Sequence, residues 1–114
     1  MKPAAAPDAG DLVWLDFTPQ AGHEQAGRRP AIVLSPESYN RKTGLALACP
    51  VTSLAKGYPF EVALPAGLPV AGVVLADHVR SIDWRARRIE RVCAANADTL
   101  AAVLGKLTAL LGIS

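Results

Sequence analysis

A glutamate and two arginines set ahead of a proline-led apolar run form the part of this chain best equipped for chemistry. The stretch Glu24-Gln25-Ala26-Gly27-Arg28-Arg29-Pro30 leads directly into Ala31-Ile32-Val33-Leu34. Pro30 locks its own φ and biases Arg29 toward extended backbone, so that guanidinium starts from a restricted position. A cation held at a rigid strand start suits recognition of an anion, a phosphate foremost. Lys56-Gly57-Tyr58-Pro59-Phe60 repeats the device, and Thr52 and Ser53 precede it after Pro50. If both loops meet at one end of the fold, they bring together a carboxylate, two guanidiniums, a hydroxyl and an ammonium. Such a set binds a phosphodiester and stabilises charge developing on its nonbridging oxygens. The plainer alternative is that Glu24 only pairs with Arg28 at the surface.

Other chemistries find no support in the sequence. It has no Walker-type glycine loop, no G-x-S-x-G elbow and no His/Cys/carboxylate cluster with metal spacing. His23 lies in the first polar loop and His78 follows Asp77. Neither a metal nor another cofactor is expected, and catalysis must use charge, hydroxyls and carboxylates. Cys49 and Cys93 read as reduced, buried small residues in a cytosolic chain. The formal net charge is only +2, but residues 78–114 carry six basic and three acidic side chains. Five of those bases are Arg80, Arg85, Arg87, Arg88 and Arg91, a run that could follow a nucleic-acid backbone. A solvated hairpin with Asp83 and Glu90 as partners explains it equally well.

Positioning these groups requires a folded scaffold, and 114 residues with 51% apolar side chains suffice for one domain with a modest core. Aromatics make up only 5%, so aliphatic residues must fill it. No apolar run reaches the ~18–20 residues that span a bilayer, and no secretory signal is expected. Residues 1–9 read as a loose lead-in. Strands are expected over Asp11–Phe17, Pro30–Ser35 (buried on both faces) and Leu45–Cys49, with Pro50 ending the third or putting it at an edge. Ser35 and Pro36 read as N-cap and first residue of a short helix reaching about Lys42. Phe60, Val62 and Leu64 alternate as a half-buried strand, Val73–Ala76 form an apolar run, and His78–Val92 supply one or two more strands. Leu100, Val103, Leu104, Leu107 and Leu111 share one face of a terminal helix with Asn96 as N-cap, Asp98 in the first turn and Gly112 at its end. Many short strands plus one helix predict a mostly β (α+β) fold, a small barrel or curled sheet covered by that helix.

The ordered series Glu24-Gln25-Ala26-Gly27 with Arg29-Pro30, Val33-Leu34-Ser35-Pro36, Lys42-Thr43-Gly44, Pro50 to Ser53, Lys56 to Val62 and Ser81 to Arg87 resembles the MazF/PemK family of toxins. Single pieces such as Arg-Pro are weak, but the whole series is specific and runs from about Asp8 to the terminal helix. The resemblance implies an SH3-like β-barrel with short helices, working as a homodimer in the cytoplasm. It implies the toxin of a type II toxin–antitoxin pair, a metal-independent endoribonuclease that cuts single-stranded RNA, chiefly mRNA, at short sequences. Attack by a ribose 2′-hydroxyl would leave a 2′,3′-cyclic phosphate and a free 5′-hydroxyl. It further implies a MazE-like antitoxin whose acidic, flexible tail covers the basic cleft.

Matched to this family, the catalytic arginine falls on Arg29, the catalytic threonine on Thr52 and the loop glutamate on Glu24. Arg29 would bind phosphate bidentately and Thr52 donate to a nonbridging oxygen. Glu24 is the easier base where geometry allows, because a guanidinium holds its proton tightly. His23 is a rival base, though the family assigns nothing there. Base reading is expected from Phe17 by stacking and from Asp16, Gln25 and Asn40 by hydrogen bonds, with Arg28, Lys56 and Arg80 against phosphates. Trp14 and Trp84 read as core or dimer-contact residues. His78 stands where many relatives carry glutamine, a departure that bears on base preference. Two rivals stay open: a non-enzymatic toxin of the same barrel acting on gyrase, whose C-terminal Trp-Gly-Ile this chain lacks, and a catalytically silent RNA-binding barrel.

Overall fold

The computed structural model describes residues 5–17 and 27–113. Seven strands and two helices follow in the order β1 (Asp11–Asp16), β2 (Arg28–Val33), α1 (Glu37–Thr43), β3 (Leu45–Thr52), β4 (Glu61–Ala63), β5 (Val73–Leu75), β6 (Arg80–Asp83), β7 (Glu90–Ala94) and α2 (Ala97–Leu111), with a 3-10 turn over Ala76–His78. All ladders are antiparallel, in the order β4-β5-β3-β2-β1-β7, with β6 also paired to β3. The sheet curls in the manner of a small barrel without closing, since no ladder joins β7 to β4 among the described residues. No helix there is long and apolar enough to cross a membrane.

The continuous apolar runs of β1 to β3 are explained by burial on both faces. Leu12, Ile32, Cys49 and Val51 face one core, where Val103 and Leu107 of α2 pack with Val62 and Val74. Val13, Leu15, Ala31, Val33 and Ala48 face a second core completed by Ile82 and Trp84. α2 is capped as its sequence predicts: Asn96 accepts from the Thr99 N–H at 2.8 Å, and Gly112 takes the left-handed conformation at φ 71°. Its apolar face is narrower than the leucine spacing suggests. Val103 and Leu107 are buried, whereas Leu104 and Leu111 are exposed.

Pro50 does not end its strand. β3 runs through it to Thr52, with Pro50 opposite Ala31 of β2. On its other side β3 pairs with β6 up to Ala48 and with β5 from Val51, so the proline sits where one partner gives way to the next. A missing N–H there interrupts neither ladder. Nor is Ser35 the cap of α1. The N-cap is Pro36, without a side-chain bond, while the Asp8 carboxylate accepts the Glu37 N–H at 2.9 Å. The Ser35 hydroxyl is used elsewhere, donating to Asn40 Oδ1 at 2.6 Å and accepting from the Leu47 N–H. Where the sequence reads as a loose lead-in, Pro7 is buried and its carbonyl accepts from Asn40. The arginine-rich segment is not a hairpin: β6 pairs with β3 and β7 with β1, joined by a turn over 84–88 whose Arg85 and Ala86 N–H groups bond the Asp83 carboxylate.

Candidate active site

Strand pairing brings Arg29 and Thr52 together across 22 intervening residues. β2 and β3 match Ala31 to Pro50, Ile32 to Cys49 and Val33 to Ala48. Arg29 lies two residues before Ala31 on β2 and Thr52 two residues after Pro50 on β3, so both emerge at the same end of this ladder. Both line one cleft of 340 Å³, together with Lys56, Tyr58, Glu61 and His78. Thr52 is largely buried, and its Oγ1 accepts the Leu54 N–H at 3.2 Å. A hydroxyl has one proton and two lone pairs, so the proton stays available for donation into the cleft.

The loop after β3 is shaped by a carboxylate. Glu61 accepts backbone N–H groups from Lys56 at 3.0 Å, Gly57 at 3.1 Å and Tyr58 at 3.3 Å. Successive N–H groups turned inward form an anion-binding concavity, here filled by the protein's own side chain. Gly57 supplies the positive φ of 74° that the turn requires. The far end of the loop is held as well, because the Tyr58 hydroxyl donates to Asp77 Oδ2 at 2.9 Å and Lys106 of α2 donates to the Pro59 carbonyl. Asp77 Oδ1 is buried with no hydrogen-bond partner among the described residues, and His78 Nε2 lies 3.9 Å from it. The hydrogen bond to Asp77, then burial and the carboxylate's charge, raise the Tyr58 phenol above its ordinary value. Burial, then the same charge, push the Cys49 thiol up to about 12, so Cys49 is no nucleophile.

Gly72, just before β5, lets the chain pass against the Thr52 backbone. A Cβ there would lie 2.2 Å from the Thr52 carbonyl oxygen, at a φ of 129°. A second cavity of 430 Å³ adjoins the first, sharing Arg29 and lined also by Trp14, Arg28, Val51, Ser53 and Val70.

The remaining sequence candidates divide. Glu24, Gln25 and His23 lie outside the described residues. Lys56 lines the cleft. Arg28 borders the second cavity with its guanidinium engaged by Asp16 at 3.3 Å, Glu90 at 3.3 Å and the Arg88 carbonyl at 2.9 Å. Asp16 is thereby a partner of Arg28 and Arg88. Three expectations need correction. Phe17 is 1% exposed in the second core, with no free face for a base. Arg80 lies over its ring, 5.6 Å from the centroid, and donates to the Phe17 carbonyl, and it is not among the residues that line the cleft. Asn40 is 0% exposed and structural: its amide donates to the Pro7 and Ser35 carbonyls, and its own carbonyl accepts from Trp84 Nε1. Of the two tryptophans read as core or dimer contacts, Trp84 is core and Trp14 is 37% exposed. Sequence reasoning missed Glu61, Asp77 and Gly72. Only Glu61 leaves a local trace, a carboxylate three to five residues beyond the N–H groups it binds.

Comparison with known proteins gives the family. Residues 8–111 match the family described as the PemK-like, MazF-like toxin of type II toxin–antitoxin systems. The chain is 51% identical to the endoribonuclease toxin MazF of Escherichia coli (strain K12) over 106 residues, 93% of this chain and 95% of that one. Against the Escherichia coli endoribonuclease PemK it is 36% identical over 108 residues, 91% of this chain and 81% of that one. The crystal structure of MazF from Deinococcus radiodurans superposes with a TM-score of 0.92 at 71% identity, covering 95% of this chain and 98% of that one. A MazE–MazF complex from the same organism matches with a TM-score of 0.85 at 65% identity, covering 96% and 98%. The chain therefore belongs to the PemK-like, MazF-like family of toxins of type II toxin–antitoxin systems.

Proposed function

We propose that this protein is an endoribonuclease toxin that cleaves single-stranded RNA in the cleft between β2 and the loop after β3. The observation that carries this reading is that Arg29 and Thr52 line one cavity. Cleavage by internal attack needs three things: a base for the 2′-hydroxyl, support for charge on the pentacoordinate phosphorus, and a proton for the departing 5′-oxygen. Arg29 binds a nonbridging oxygen and Thr52 donates its hydroxyl proton to another. Lys56 adds positive charge from the loop, whose shape Glu61 maintains. Glu24 takes the 2′-hydroxyl proton, and a water entering the open cleft gives a proton to the departing 5′-oxygen. The products are a 2′,3′-cyclic phosphate and a 5′-hydroxyl. His78 on the cleft wall bears on which base is accepted.

The partners follow the same reading. A MazE-like antitoxin lays an acidic, flexible tail over Arg29 and Lys56; the Deinococcus radiodurans relative is found in complex with MazE. The toxin works as a cytoplasmic homodimer. An exposed apolar groove supports the second copy, where Leu47, Val79, Leu104 and Leu111 surround 380 Å³ between β3, β6 and α2.

Purified protein incubated with a long RNA in EDTA tests the reading. Discrete cuts ending in cyclic phosphate are expected. Arg29→Ala and Thr52→Ala should each slow cleavage about 10²- to 10³-fold, the usual loss for one transition-state donor. Intact RNA after incubation with folded protein would instead mean a binding barrel without activity.

A further inference from the structure

A phosphodiester joins two nucleosides, so a site that grips the phosphate at Arg29 must accommodate a base on either side. The Thr52 cleft offers one such place, and the second cavity lies directly across Arg29 from it. The sheet explains why there are two. Trp14 pairs with Pro30, and the β2–β3 register carried one residue outward puts Pro30 opposite Val51. That row forms the floor of the second cavity. The next row, Leu15, Arg29 and Thr52, points to the opposite face because side chains alternate along strands. Arg29 thus stands at the sheet's end, where a bound strand would pass from one face to the other.

The second cavity is suited to a base and not to another phosphate. The Arg28 guanidinium at its edge is already engaged by Asp16 and Glu90. What remains is apolar wall from Pro30, Pro69 and Val70, the half-exposed indole of Trp14 and the exposed Ser53 hydroxyl. We infer that this cavity is a nucleobase subsite, in which Trp14 stacks on the base next to the scissile phosphate and Ser53 meets that base's polar edge. The inference rests on the RNA-cleaving reading above and extends it to substrate binding. It also moves the stacking role from Phe17, which is buried, to Trp14, three residues earlier and on the other core's face.

The test uses a single-stranded oligonucleotide spanning a mapped cut site, with 2′-deoxyribose at the scissile position so that it binds without being cut. Anisotropy of a terminal dye reports binding, and tryptophan emission reports the cavity. The chain has two tryptophans and Trp84 is fully buried, so a change on binding is assigned to Trp14. Emission should change in step with anisotropy. Trp14→Ala should weaken binding about 5- to 150-fold, the value of one base stacked on an aromatic ring, while Trp14→Phe stays within a few-fold. An abasic nucleotide on one side of the scissile phosphate should weaken the parent protein equally and abolish the effect of Trp14→Ala. Unchanged emission alongside clear anisotropy, or a Trp14→Ala variant that binds like the parent, overturns the subsite and leaves the cleavage reading intact. A folded protein that binds no oligonucleotide overturns both.

Discussion

Replacing Gly72 by alanine gives the sharpest test of how the fold supports Thr52. The new Cβ would lie 2.2 Å from the Thr52 carbonyl oxygen and 2.9 Å from its carbonyl carbon. Since real Cβ atoms essentially never come within 3.0 Å of such atoms, the two backbones must part by at least about 0.8 Å. The φ of 129° adds strain of its own, of order 1–3 kcal/mol, to an overpacking cost of about 1–3 kcal/mol. Such a loss removes a large part of the ~5–15 kcal/mol that holds an ordinary domain together. Tm should fall by roughly 10–20 °C. In molecules that stay folded, Thr52 moves by most of an ångström, and misplacement on that scale costs about 10²-fold in rate. Gly67→Ala is the matched control, because Gly67 has a φ of 90° but nothing within 4 Å of the added carbon. It should share the strain and keep parental cleavage. Thermal melting by circular dichroism and cleavage of a labelled RNA, both below the lower Tm, provide the measurements. If Gly72→Ala melts with Gly67→Ala and cuts RNA like the parent, the close approach to Thr52 has no functional weight.

Asn40→Ala should destabilise the fold by about 2–4 kcal/mol, because two buried carbonyls lose their donors; cleavage positions of the folded fraction should not move, and a shifted cut pattern would return Asn40 to base reading. With Tyr39 changed to phenylalanine, Tyr58 is the one tyrosine left, and its absorbance should titrate above 10.0 because its hydrogen bond to Asp77 and that carboxylate's charge favour the protonated phenol. Asp77→Asn should bring that midpoint down, and an unchanged midpoint would remove Asp77 as the cause. At pH 8 a thiol reagent should modify Cys93 and spare Cys49, whose thiol is pushed up to about 12, until the protein is unfolded. Equal labelling of both thiols in the folded state would contradict the burial of Cys49.

What could be read from the chain depended on whether the signal was local. The caps of α2 and the two-faced burial of β2 lie in neighbouring residue types, and both took the expected form. Pro50 misled because its tolerance depends on β3 exchanging β6 for β5 beside it, a fact of pairing that no window around residue 50 contains. Leu104 and Leu111 carry the helical period of Val103 and Leu107, yet the sheet beneath α2 covers only the narrower face. Phe17 and Asn40 sit in polar surroundings that resemble a binding loop, but both are drawn inward, one by the second core and the other by Pro7, Ser35 and Trp84. The pairing of Arg29 with Thr52 came from family resemblance, and its physical cause is the β2–β3 register. Gly72 is silent in the sequence, since its role is defined by an oxygen that belongs to a residue on another strand.

That register has a bearing on how toxins of this kind diversify. Because Arg29 and Thr52 lie just beyond the same end of the β2–β3 ladder, their approach is set by strand pairing more than by the length or wording of the connections on either side. Insertions and substitutions in those connections, away from Glu24 and Lys56, can rewrite which RNA sequence is accepted while leaving the Arg29–Thr52 pair in place. The fold thereby separates the part that must stay constant from the part free to drift.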